Sequence, residues 1–401
     1  MKNILVIVGF FDPNNLSALP RIVFEIASKN SDKFRFFICT NGKDDKVYQL
    51  DEKITVYEIK SSTYDYKKIK SFIIENNIDL INFHGSLLGS ILCIRSLKCA
   101  KIPIILNIYE KKANFGDFIH LKFSDFWRAY YRTIGLPFTK SIIMPQYIIS
   151  YYLSQDIVQK IIVPSARLKK YYQSITDTEV VQIPVGVMFE KFSNPDVKSA
   201  EKMKKSFGFD SDDKIIMYFG HSSITRGIDD LIQVFPLIKN KIPKAKLVLV
   251  LNSKWSSSST NDFIVNMAYK YIPSDSVKII EEHISNPEEY YAIADVLSLV
   301  YRFSGEIPEY PFVLLEAMAT GAPVISTNIG AIPEIIKNDF NGILIQPKNK
   351  RELANAIERI LLDEKFSDFL VENAKKTAKL FDWNIATDNI CRIYEGSVKY
   401  E

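Results

Sequence analysis

The chain has 401 residues, 47% of them hydrophobic and 24% charged, with 15 glycines and 17 prolines, a composition that excludes a disordered or fibrous chain and implies two domains at roughly 100 to 200 residues each. A formal charge of +4 comes without any long Lys/Arg block, so a nucleic-acid-binding arm is excluded and any anion site must be local. Four cysteines, Cys39, Cys93, Cys99 and Cys391, form no C-x-x-C pair, which argues against a disulfide framework or a zinc knuckle and fits the cytosol.

The opening "MKNILVIVGFFDPNN" places Lys2 before an apolar run, but it has no A-x-A cleavage site and continues into a charged helical pattern. It reads as a buried first strand. After it, short β-branched runs alternate with amphipathic stretches: "RIVFEIASKN", "FRFFICTN", "ITVYEIK", "YKKIKSFIIENN", "IDLINFHG", "IPIILNIYE" and "VQKIIVPS". That alternation is the rhythm of a parallel sheet covered by helices. No run of about 18 apolar residues is present, since "SIIMPQYIISYYL" is short and broken by Pro145 and Gln146, so no membrane span is expected.

From Phe123 the apolar residues Phe126, Trp127, Tyr130, Tyr131 and Ile134 recur at helical spacing, with Lys122, Asp125, Arg128 and Arg132 on the other face. A helix packed on the first sheet has this pattern, and so does one lying on a membrane surface, so residues 119–135 are a candidate for peripheral contact with the inner membrane face. After "VQIPVGVMFEKF" a polar stretch follows, and the alternation restarts at "IIMYFG", continuing through "KLVLVLN", "SVKIIEE", "ADVLSLVYR", "APVISTN" and "GILIQP". The expected domains are therefore 1–195 and 196–383, two Rossmann-like doubly wound α/β units facing a central cleft. Asp210 and Asp212, in the polar lead-in to a strand, read as solvated linker rather than as a metal motif, and the four histidines show no ligand spacing. No metal or cofactor is expected. A dinucleotide-dependent oxidoreductase would need a G-x-G-x-x-G after the first strand, which is missing.

The most informative stretch is "EIPEYPFVLLEAMATGAPVIS", where Glu316 stands among Val313, Leu314, Leu315, Ala317 and Met318. A carboxylate buried there needs a partner. Pro311 suits the start of a helix and Gly321 its end, with Pro323 preventing continuation. The N–H groups of Phe312, Val313 and Leu314 at that start would face the carboxyl ends of the strands, where such sheets bind anions. Helical side chains lean back toward the N-terminus, so Glu316 reaches the same end and can accept from two ribose hydroxyls. The pattern points to a nucleotide.

These residues resemble the retaining glycosyltransferases of GT-B fold, family-4 type (glycosyl transferases group 1). The likeness is carried by "PEYPFVLLEAMATGAPVISTNIGAIPEIIKNDFNGILIQP", similar to the family's donor-site signature, and by "IIMYFGHSSITRGIDDLIQVF", similar to its phosphate loop. "IPVGVMFEKF" resembles the interdomain segment, and "FDWNIATDNICRIYE" the closing segment, which implies that 384–401 crosses back onto the first domain. Glu316 matches the second glutamate of the family's pair; the first falls on Pro308, leaving Glu309 or Glu306 to present a carboxylate to the sugar. Arg226 matches the phosphate-binding lysine, with a bidentate fork suited to a diphosphate. His221 follows Gly220 where the family has an arginine, so one permanent charge is lost unless His221 is protonated. His84 corresponds to the first-domain histidine that contacts the transferred sugar, while Ser17 and Ala18 fall where a glycine pair lets backbone approach the donor, and Gly9 at the end of the first strand serves part of that purpose.

The resemblance implies metal-independent transfer from a nucleotide-sugar donor to a glycan or lipid-linked acceptor, with retention at the anomeric carbon. The substitutions at 308 and 221 leave a second reading open, a GT-B-fold protein that binds nucleotide or glycan without turnover.

Overall fold

The computed structural model describes residues 1–13, 18–61, 64–110, 144–251, 258–282, 284–303 and 309–398. The chain forms two compact units, Met1–Gly186 with Trp383–Glu401, and Val187–Asp382. The dividing point lies ahead of the expected residue 195. The reason is pairing over distance: Val187 forms a parallel bridge with Asp382 and donates its N–H to Phe381 O at 2.7 Å, and Phe192 packs against Tyr291 at 6.1 Å, so this segment already belongs to the second unit.

The first unit holds an eight-stranded sheet, ordered β3-β4-β2-β1-β5-β6-β7-β8. Its strands are β1 (Lys2–Val8), β2 (Phe34–Gly42), β3 (Lys46–Asp51), β4 (Ile54–Lys60), β5 (Leu80–Gly85), β6 (Ile104–Ile108), β7 (Val158–Val163) and β8 (Val180–Gln182). All pairings are parallel except β3 with β4, a polar edge hairpin that the apolar-run reading passes over. β1 reads as a continuous apolar run because helices cover both faces of the sheet. Strand order reverses between β1 and β5, and Val8, the last residue of β1, pairs with His84. The closing helix, Trp383–Ser397, packs on this unit: Tyr394 is fully buried with its ring 5.7 Å from Phe34, and Trp383 sits so close to Gly186 that any Cβ there would meet it at 2.5 Å.

The second unit is a six-stranded, wholly parallel sheet: β9 (Lys214–Gly220), β10 (Ala245–Leu251), β11 (Val277–Ile280), β12 (Val296–Leu299), β13 (Val324–Thr327) and β14 (Ile343–Ile345), in the order β11-β10-β9-β12-β13-β14. Numbered from its own first strand, that is the 3-2-1-4-5-6 order of a doubly wound nucleotide-binding sheet, with its switch point between β9 and β12. Both neighbouring loops start at the carboxyl ends of these strands. Among the described residues no helix is long and apolar enough to cross a membrane, and the amphipathic stretch 119–135 lies outside them.

Gly227 is the tightest joint of this seam. It ends the short turn after β9 at φ +68°, and a Cβ there would stand 2.3 Å from the carbonyl oxygen of Val300, just beyond β12. Gly208, at φ +79°, has the same handedness but nothing within 4 Å. Gly208→Ala should therefore cost about 1 to 2 kcal/mol, the left-handed penalty alone, and Gly227→Ala about 3 kcal/mol or more, because backbone must also shift. Urea unfolding of the two variants decides; equal losses would contradict the seam.

Candidate donor site

At the end of β9, Gly220 leads into His221, whose carbonyl accepts from the Tyr218 hydroxyl and, at 2.8 Å, from the N–H of Ser223. Ser223 then caps the single turn Ile224–Arg226, its hydroxyl accepting from Thr225 N–H at 3.3 Å. Gly220 carries no side chain where a Cβ would lie 3.4 Å from Arg226 Nη1. Arg226 is half-buried, its guanidinium 5.7 Å from the centre of the Tyr301 ring, a cation held on an aromatic face. The helix Ile228–Lys241 follows, with Asp229 and Asp230 in its first turn, where carboxylates complement the helix dipole.

The segment after β12 returns to the sheet through the helix Phe312–Thr320, begun by Pro311 and ended by Gly321 at φ +102°, as the sequence implies. Tyr310 fixes its entry: the hydroxyl donates to Glu334 at 2.6 Å and the ring packs edge-on against Phe381 at 5.7 Å. One expectation changes here. The N–H of Leu314 already donates to Pro311 O at 3.1 Å, so it is not an open donor at the helix start like those expected at Phe312 and Val313.

Glu316 is 5% exposed, and its Oε2 accepts from the hydroxyl of fully buried Tyr291 at 3.1 Å. That is the partner its apolar flanks demand. Sequence reasoning missed Tyr291 because the pair is 25 residues apart in the chain. Glu309 is also buried, at 6% exposed, whereas Glu306 and Pro308 lie outside the described residues, as do Ser17 and the Ala18 side chain. Asp210, Asp212 and Asp213 bring carboxylates within 4.8 Å of one another, and Lys244 pairs with Asp210 at 3.6 Å and Asp212 at 3.2 Å, so the D-x-D is an ion-paired surface turn.

In the first unit Gly9 follows β1, with Tyr64 Oη 3.3 Å from where its Cβ would be. His84 departs from its expected role. It has no exposed surface, and both ring nitrogens are engaged: Nδ1 with Tyr109 Oη at 2.8 Å, Nε2 with Asn82 Nδ2 at 2.8 Å. Asn107 Nδ2 faces the Phe83 carbonyl at 3.5 Å and donates to Asn82 Oδ1, and Asn82 Nδ2 also donates to Tyr394 Oη. With Asn82 donating to it, Nε2 accepts and Nδ1 carries the proton toward Tyr109. His84 is thus a neutral, oriented interior group, and the residue it supports at the carboxyl edge of β6 is Tyr109. Burial pushes the His84 imidazole down to about 3.

Residues 199–377 match the family model described as Glycosyl transferases group 1. The second unit belongs to that family. This glycosyltransferase unit lies within a chain that is 29% identical over 253 residues to an uncharacterized glycosyltransferase of Methanocaldococcus jannaschii, covering 59% of this chain and 56% of that protein. It is 27% identical over 191 residues to the capsular polysaccharide biosynthesis glycosyltransferase CapM of Staphylococcus aureus, covering 48% and 47%. The chain spans about half the length of these curated relatives. Solved structures match nearly end to end: a sucrose-phosphate synthase from Thermosynechococcus elongatus (TM-score 0.77, 18% identity, 99% of both chains) and Anabaena HepE in complex with UDP-glucose (TM-score 0.73, 15% identity, 99% and 100%). At these identities the likeness shows the GT-B glycosyltransferase fold.

The His84 assignment has a pH signature. An unfolded histidine titrates near 6.5 and this one near 3, so the unfolded state takes up the proton first and stability falls as pH drops through that window. Between pH 7 and 4.5 the stability advantage of wild type over His84→Gln should shrink by roughly 2 to 3 kcal/mol. Denaturant titrations at both pH values measure it, and a constant gap would place His84 in contact with water.

Proposed function

We propose that the chain transfers a sugar, with retention at the anomeric carbon, from a nucleoside-diphosphate sugar to a glycan or lipid-linked acceptor. The observation that carries this reading is that Arg226 follows β9 while the Phe312–Thr320 helix, with buried Glu316, follows β12, the two strands that flank the switch point. Arg226 and the helix N-terminus meet the diphosphate, and Glu316 exchanges its bond from Tyr291 for ribose hydroxyls or shares it with them. The anomeric carbon–oxygen bond to the diphosphate breaks, the acceptor oxygen bonds on the same face, and the departing phosphate oxygen takes the acceptor's proton. This scheme needs no metal ion, since Arg226 and the helix dipole stabilise the leaving charge. Glu309, or Glu306, then serves the donor sugar, and His221 adds charge when protonated.

Support for the donor class comes from Anabaena HepE, whose structure holds UDP-glucose, and support for a glycan acceptor from CapM, named for capsular polysaccharide biosynthesis. In this reading the protein works in the cytoplasm, at the inner membrane face if its acceptor is lipid-linked. The second reading, binding without turnover, draws on Pro308 and His221 standing where the family has charged residues.

Calorimetry with UDP-, GDP- and ADP-sugars tests the site. Glu316→Gln keeps the shape but loses the charge of hydrogen bonds worth about 1.5 to 3 kcal/mol each, so donor affinity should fall at least tenfold. Unchanged affinity would defeat the ribose assignment. Tight donor binding without hydrolysis or transfer to any acceptor fraction would favour the binder.

A further inference from the structure

We propose that Arg302 is a positioning residue that holds Arg226 in place for the diphosphate, an inference that rests on the nucleotide reading above. Arg302 lies three residues beyond β12, and its main-chain N–H donates to the Thr225 carbonyl at 2.8 Å, across the switch point. Its side chain grips the start of the next helix: Nη2 bonds Asp229 Oδ2 at 2.6 Å and Asp230 Oδ1 at 2.9 Å, and Nε bonds Asp230 Oδ2 at 3.2 Å. All three side chains are mostly buried, at 16%, 13% and 6% exposed.

The charges balance. Asp229 and Asp230 both face Arg302, and Asp230 also faces Lys350 at 3.7 Å, which leaves Arg302 neutralised and unsuited to binding a ligand anion itself. Arg226, by contrast, has no carboxylate partner among the described residues. The residues between His221 and Gly227 form one short turn, so the position of Arg226 depends on what fastens its two ends. One end is the strand, and the other is the helix start that Arg302 clamps, reinforced by the Gly227 contact with Val300. Lysine cannot reproduce this clamp, because one ammonium does not span two carboxylates in the plane that a guanidinium does. In the sequence Arg302 only closes the apolar run "ADVLSLVYR", which carries no sign of partners more than 70 residues away.

The test is a double-mutant cycle with UDP as the calorimetric probe, using wild type, Arg302→Lys, Arg226→Ala and the double variant. If Arg302 acts through Arg226, each single change weakens UDP by about tenfold or more and the double variant is no weaker than Arg226→Ala. Additive losses, or full affinity in Arg302→Lys, would overturn the proposal. Should Arg302→Lys fail to fold, Asp229→Asn removes one arm of the clamp and carries the same expectation of non-additivity. A crystal structure of the clamp variant, free of nucleotide, reads the placement directly: Arg226 should leave the Tyr301 ring, and finding it still there would overturn the proposal whether or not any nucleotide binds. Absence of heat from UDP, GDP and ADP with the wild type would defeat the nucleotide reading alone and leave the placement to decide the role of Arg302.

Discussion

Two backbone segments of the second unit meet where strand order reverses, and the geometry of that meeting constrains the candidate site. The carbonyl of Val300 lies where any side chain at 227 would have to be, so the loop after β9 and the segment after β12 touch through main chain. Close approach of this kind needs a glycine in the left-handed region, and the chain has one. From that contact follow the position of the Ile224–Arg226 turn, the start of the Ile228–Lys241 helix, and the placing of Arg226 on the face of Tyr301. A parallel sheet supplies the rest, because its strands all deliver their loops to one edge.

Electrostatics divides the ionised groups near that edge into two kinds. Arg302, Asp229, Asp230 and Lys350 pair charge with charge, and a compensated cluster of this type fixes geometry more than it adds stability. Burial raises the Asp229 carboxyl above its usual range despite the Arg302 charge. Arg226 and Glu316 are the other kind: a guanidinium with no carboxylate partner among the described residues, and a carboxylate that accepts from a neutral tyrosine hydroxyl. A guanidinium that the fold leaves without a carboxylate has capacity for a ligand anion. The first unit follows the opposite course, since its His84, Asn82, Asn107 and Tyr394 are tied into an internal chain that links the closing helix to β5 and β6.

Much of this was legible in the sequence. Parallel strands buried on both faces announce themselves as apolar runs, so thirteen of the strands fall on or beside runs read from the chain, whereas β3, exposed and polar at a sheet edge, does not. Pro311 and Gly321 mark a helix by local chemistry alone, and Glu316 signals its own importance by its apolar neighbours. What the sequence does not carry is pairing over distance. The partner of Glu316 is Tyr291, that of Arg302 is 72 and 73 residues away, and whether His84 faces a ligand or the interior depends on Asn82, Asn107 and Tyr394 together. The unit boundary was misplaced for the same reason, since the Val187–Asp382 bridge joins segments remote in the chain.

The central claim is that a nucleoside diphosphate sits at the β9/β12 switch point, and the most direct measurement is a crystal structure of the protein soaked with UDP. The account predicts the diphosphate within hydrogen-bond distance of the Arg226 guanidinium and the start of the Phe312–Thr320 helix, with ribose hydroxyls on Glu316. A nucleotide bound elsewhere, with the Tyr291 hydroxyl still on Glu316 and Arg226 unoccupied, would contradict it.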